Sequence, residues 1–141
     1  MFQQLAIATG MVLLTVSIHG GGLIVLVRLF RIELSEEAAL HLPAFSLRTL
    51  AFVLALALGL FALHGLEIWA YGALYLLLGA LPNLETAVFF STITYSTVGY
   101  DTQGFHESWR LVAAIEAING VVLLGWSTAF FVTIMTRLMR R

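Results

Sequence analysis

Apolar residues run along this chain in stretches that match bilayer crossings. The first goes from Leu5 to Val27, about 23 residues or roughly 34 Å of helix, enough for one crossing. His19-Gly20-Gly21-Gly22 interrupts it. We read the glycines as a packing notch, because glycine lets membrane helices approach or bend; a ligand role for His19 is the sharper alternative. Residues 1–30 thus form one span. From Arg28 to Arg48 the pattern turns polar. Here Ser35-Glu36-Glu37 predicts a helix N-cap with acids in the first turn, and Pro43 predicts its end. Residues 31–47 read as a connector at the cytoplasmic side.

A second apolar run covers about 48–78, longer than a bilayer requires, which predicts tilt or protrusion. His64 and Glu67 share a face of it at i,i+3 spacing. Trp69, Tyr71 and Tyr75 follow, a mix that places this end near the outer membrane–water interface. Leu81-Pro82-Asn83 predicts a break. The apolar stretch at about 84–95 is too short to span and predicts a re-entrant helix. Residues 96–104 cannot be helical throughout. Irregular backbone at that depth is tolerated where it is buried in protein or lines a water-filled path. A last span occupies about 108–138. The expected fold class is an all-α membrane protein with three transmembrane helices and a re-entrant helix.

Composition narrows the function. The 141 residues are 60% hydrophobic and only 11% charged, far below the quarter or so of charged residues that covers a soluble domain. The net charge of −1 leaves no basic face for nucleic acid. Cysteine is absent, which excludes disulfides and thiolate metal sites. No serine–histidine–acid or metal-ligand cluster stands at useful spacing, so we expect neither an enzyme nor a cofactor. Met1-Phe2-Gln3-Gln4 lacks a basic n-region, which predicts a retained span in place of a cleaved signal. All seven basic residues are arginines. Arg28, Arg31 and Arg48 flank the connector, and Arg137, Arg140 and Arg141 close the chain. The positive-inside rule puts both clusters in the cytoplasm and the N-terminus outside.

Thr92-Ile93-Thr94-Tyr95-Ser96-Thr97-Val98-Gly99-Tyr100 sits between the short helix and the last span. It resembles the T-x-T-x-T-V-G-Y-G signature of the potassium-channel superfamily. Downstream, Trp109-Arg110, Gly120 and Gly125-Trp126-Ser127-Thr128-Ala129 resemble the inner helix of bacterial members with one pore module per chain. The resemblance covers about residues 48–138. It implies an outer helix (48–78), a pore helix (84–95), a filter (96–101) and an inner helix (108–138), assembled as a homotetramer in the lipid bilayer. It also implies K⁺ ions held by the carbonyls of Thr97, Val98, Gly99 and Tyr100 with the Thr97 hydroxyl. Such oxygens replace a permeant ion's hydration shell. Gly99 supplies backbone freedom, and the Val98 and Tyr100 side chains point away and pack outward.

The pattern departs from the family at one place, where Asp101 directly follows Tyr100. Either Asp101 replaces the second glycine, or that glycine is deleted and Asp101 is the familiar acid of the outer mouth. On the last span the resemblance makes Gly120 a hinge and sets Val121, Leu124, Thr128 and Thr133 toward a cavity. Glu116 and Asn119 share a face at i,i+3 and are expected to support the filter or its helix, with tuning of cation occupancy as the alternative. The expected function is a passive potassium-selective channel. A weakly selective cation channel and a non-conducting membrane scaffold are the alternatives. The first span has no role legible here and is expected to pack outside the pore.

Overall fold

The computed structural model describes residues 1–40, 47–99 and 104–139. Every regular element among them is helical. In chain order these are α1 (Phe2–Leu40), α2 (Leu47–Leu77), α3 (Leu84–Tyr95), a 3-10 turn (Glu107–Trp109) and α4 (Arg110–Met139). Three stretches are long and apolar enough to cross a membrane: Phe2–Phe30, Leu47–Leu77 and Glu107–Leu138. The 12 residues of α3 reach only about 18 Å, so this helix is too short to cross a bilayer. It packs between α2 and α4, while α1 lies against α4 and α2 from the other side.

One boundary differs from the sequence reading. α1 runs unbroken through Leu40, so Ser35 lies inside it and caps no new helix. Glu36, Glu37, Ala38 and Ala39 are all helix-compatible, and no proline stands within α1 to break it. Pro43 itself lies outside the described residues.

Local chemistry sets the ends that matter for the site. α2 stops at Gly79, which takes a left-handed φ of 62°. The amide of Ala80 then reaches the Tyr75 carbonyl at 2.9 Å, and that of Gly79 reaches Leu76 at 3.1 Å, a glycine-terminated helix end. Three residues on, Asn83 accepts from the Thr86 amide at 2.9 Å and starts α3. A tight α2–α3 turn results. Behind it, Tyr75, Phe90 and Phe105 form an aromatic cluster, with Phe90 and Phe105 stacked at 4.3 Å. Phe105 thereby anchors the chain as it returns from the 96–104 segment.

Glycines let the spans close on one another. A Cβ on Gly22 would meet Leu63 at 2.4 Å, one on Gly59 would meet Leu26 at 2.8 Å, and one on Gly72 would meet Val88 at 3.0 Å. Gly22 and Gly59 join α1 to α2, and Gly72 seats α3. The notch read from the triple glycine is therefore used chiefly at Gly22, since Gly21 has open space around it.

α4 is polar inside and apolar outside. Glu116, Asn119 and Ser127 are buried with Val112, Leu123 and Ile134, while Ile118, Val121, Val122 and Val132 are more than half exposed. In water this would be inverted. In a bilayer the apolar side meets lipid or other copies, and the polar side must be satisfied within the protein.

Candidate functional site

The site is built where α3 ends. Ser96 closes the helix, its amide bonded to the Thr92 carbonyl at 3.1 Å, and the Thr97 amide donates to Thr94 at 3.0 Å. Beyond it the backbone leaves helical geometry. Thr97 has φ 64° and Gly99 φ 53°, so left-handed positions alternate with Val98 between them. For glycine this is unstrained. For β-branched Thr97 it costs about 1–2 kcal/mol, and such outliers cluster at functional sites. The Gly99 amide returns to the Ile93 carbonyl at 2.9 Å. Tyr100 and Asp101 lie outside the described residues.

Ser96, Thr97, Val98 and Gly99 are all exposed on the single chain. Val98 is 51% exposed, so the outward packing expected of it is not made within one chain. A groove of about 360 Å³ runs beside this segment, lined by Phe90, Thr94, Thr97, Gly99, Ala113 and Ala117. On α4, Val121, Leu124, Thr128 and Thr133 are exposed as well. The hydroxyls of Thr128 and Thr133 donate back to the Leu124 and Ala129 carbonyls at 2.8 and 2.7 Å, which leaves their lone pairs free to accept. On an ideal helix Val121, Leu124 and Thr128 fall on one stripe. Thr133 lies about 120° around from Val121, and Val132 takes the stripe position instead.

Gly120 carries more than a hinge would. α4 is continuous helix through it, and a Cβ there would stand 2.2 Å from the Tyr95 carbonyl oxygen. The glycine lets α4 touch the backbone at the end of α3, beside the Thr97–Gly99 segment.

Two buried carboxylates organise the space behind that segment. Glu116 accepts from the Tyr75 hydroxyl of α2 and the Ser91 hydroxyl of α3, both in short contacts. It ties three helices at one point. Asn119 does not join it. Its amide donates to Thr15 on α1 at 2.7 Å and to Tyr71 at 3.3 Å, so it docks the first helix and gives no support to α3. One residue of the i,i+3 pair faces α3 and the other faces α1, because the two helices flank α4's buried face.

Glu67 is the larger correction. The Trp69–Tyr75 aromatics suggest the outer interface, yet Glu67 is fully buried. α1 covers it with His19, whose Nδ1 donates to Oε1 at 2.8 Å. α3 covers it with Tyr95, whose hydroxyl donates to Oε2. His64 adds its Nδ1 at 3.3 Å from Oε2 and 2.9 Å from the Tyr95 oxygen. His19 continues to Ser127 on α4, Nε2 to Oγ at 3.3 Å, and its ring lies 5.3 Å from that of Trp126. All four long helices meet here. His19, His64 and Glu67 also bring three potential metal-ligand atoms within 4.8 Å of one another. The sequence hid this cluster, because His19 and Glu67 are 48 residues apart on different spans.

Near the surface, Arg110 starts α4 and pairs with Glu107 at 3.1 Å, both largely exposed. Such a pair contributes little.

The family described as "Ion channel" matches residues 48–137, more than half of the chain. The chain belongs to this ion-channel family. The match takes in α2, α3, the Thr97–Gly99 segment and nearly all of α4, and leaves α1 outside. No curated protein and no solved structure is significantly similar to the chain. The ion channel therefore carries one helix more than its family match, and that helix reaches the site through His19 and Thr15. Sequence reading placed α1 as a bystander. The hydrogen-bonding partners of His19 were the missing signal.

Proposed function

We propose that this ion channel conducts K⁺ passively and selectively as a homotetramer, through a ring of four Thr97-Val98-Gly99-Tyr100 segments. One observation carries the reading. This tetrapeptide follows directly on the C-terminal end of a helix too short to span, held between two spanning helices in a member of an ion-channel family. The partially negative end of α3 favours a cation at that place. Carbonyls at an axis substitute for lost water, and left-handed residues at alternate positions, Thr97 and Gly99, let successive carbonyls turn to one side, as a shared axis requires. One chain supplies one segment, and the exposed apolar face of α4, with the bare 96–99 stretch, is the surface that copies would cover.

In this reading Val121, Leu124 and Thr128 line the cavity, Glu116 holds the pore helix, and Asp101 stands at the outer mouth. The arginine clusters put the N-terminus outside and the C-terminus in the cytoplasm. The protein provides a path and carries out no covalent chemistry.

Bi-ionic reversal potentials on purified protein in planar bilayers test this. With K⁺ on one side and Na⁺ on the other, the reversal potential is expected far toward the K⁺ value. Near-equal permeability would replace the reading with a weakly selective cation channel, which the Tyr100-Asp101 junction favours. Protein that is tetrameric yet passes no ion would make it a scaffold.

A further inference from the structure

The cluster around Glu67 has the donor set of a metal centre. Two imidazoles from different helices turn the same nitrogen, Nδ1, toward one carboxylate. The His19–Glu67 and His64–Glu67 edges are 2.8 and 3.3 Å, and a phenol oxygen lies 2.9 Å from His64 Nδ1. A tetrahedral zinc ion with bonds of about 2.0–2.2 Å to nitrogen and oxygen has ligand-to-ligand edges of roughly 3.3 Å. The His64 edge, to Oε2, already has that length. His19 faces the other oxygen, Oε1, and the Tyr95 hydroxyl stands closer to Oε2 and to His64 than such an edge. Binding therefore requires the His19 and Tyr95 side chains to move outward and the carboxylate to turn one oxygen to the ion. We propose that His19, His64, Glu67 and Tyr95 form a binding site for a divalent transition-metal ion of the zinc type. Bound there, the ion joins α1 and α2 to the last residue of α3.

The protons balance without a co-reactant. In the hydrogen-bonded network His19 carries its proton on Nδ1 and donates to Glu67. When Nδ1 binds the ion, that proton moves to Nε2, which then donates to Ser127 Oγ at 3.3 Å. This is the outer-shell partner that fixes the tautomer of a metal-bound histidine. His64 likewise coordinates through Nδ1 with its proton on Nε2. Tyr95 releases its hydroxyl proton to solvent and binds as phenolate. Two positive charges then meet one carboxylate and one phenolate, so the site is neutral. Neutrality matters here, because net charge inside the membrane is costly. Imidazole and phenolate suit zinc, cobalt or iron, whereas calcium and magnesium need more oxygens. The His64 side chain is 13% exposed, which marks the open side.

Cobalt(II) loading of the full chain tests the site, independently of whether it conducts. Chelator-stripped protein in detergent is loaded with Co²⁺, desalted, and measured by metal analysis and visible absorption. One Co²⁺ per chain is expected, with the intense visible bands of four-coordinate cobalt, bleached by added Zn²⁺. His64→Gln and His19→Gln are expected to weaken affinity by about tenfold or more. His106→Gln, an exposed histidine outside the cluster, is expected to leave it unchanged. No retained cobalt, a weak six-coordinate spectrum, or an affinity that follows His106 would overturn the site and leave a purely hydrogen-bonded cluster. If the His19 and His64 variants fail to fold, the spectrum of the unsubstituted protein still decides.

Discussion

The Tyr95 carbonyl oxygen lies 2.2 Å from the point where a Cβ would stand on Gly120. The obstructing atom is backbone, so it cannot rotate away as a side chain would. Gly120→Ala is therefore expected to push α3 and α4 apart, at about 1–3 kcal/mol for overpacking, with a large fall in ion flux because the displaced residue adjoins Thr97. Gly125, which has nothing within 4 Å, is the control. Gly125→Ala is expected to leave thermal stability equal or slightly higher. Melting curves and liposome flux of the two variants check this, and equal behaviour would mean that the close approach is not real.

Glu116 receives two hydroxyl donors in a buried setting. Its removal takes the acceptor from the buried Tyr75 hydroxyl, at about 1–3 kcal/mol, while the Ser91 hydroxyl falls back on the Ile68 carbonyl at 3.0 Å. Glu116→Ala is expected to destabilise by roughly 2–5 kcal/mol, the cavity included. Glu116→Gln keeps one acceptor oxygen and is expected to retain more than half of that loss. Denaturation in mixed micelles measures both. An alanine variant as stable as the parent would show that the carboxylate does not hold α2, α3 and α4 together.

Much of the fold was readable because lipid imposes simple rules. Long apolar runs announced three crossings, and a run too short to cross announced α3. Asn83 and the Pro82 break located its start. The Thr97-Val98-Gly99-Tyr100 string drew attention to a segment that lies within the ion-channel family match, since few other contexts set it between two spans. What escaped was pairing between helices. The composition of α2 placed Glu67 near water, and nothing in its own helix reveals that His19 and Tyr95 cover it. Ser35 misled because a capping residue followed by acids reads the same inside a continuing helix as at its start. Asn119 and Glu116 share a face by period, but which neighbour each meets depends on how α1 and α3 flank α4, and spacing alone does not encode that.

The Asn119–Thr15 hydrogen bond, 2.7 Å and buried, gives α1 a measurable stake in the channel domain. Polar contacts between membrane helices average about 0.6 kcal/mol in double-mutant cycles and reach about 1.7. The Asn119–Tyr71 contact is lost with Asn119 in both arms of a cycle and cancels, so a coupling within this range is expected for Thr15→Val with Asn119→Ala. Unfolding free energies of the parent, both single variants and the double variant give the number. A coupling indistinguishable from zero would mean that α1 docks by packing alone.

Gly99 provides the sharpest test of the proposed conducting segment, because sterics and backbone conformation separate there. An added Cβ meets nothing nearer than the Thr97 carbonyl at 4.0 Å, so the single chain has room for it. Its φ of 53° nonetheless costs an L-residue about 1–2 kcal/mol. One such cost per chain is tolerable for folding. In a ring of four it sums to roughly 4–8 kcal/mol against the conducting arrangement, enough to lower its population by a hundredfold or more if an alternative backbone is open. Gly99→Ala is thus expected to fold and assemble like the parent, seen by native mass spectrometry, while K⁺ flux per assembly falls at least a hundredfold. A variant that conducts at the parent rate would show that ions do not depend on this left-handed turn, and the four-segment ring would lose its physical basis.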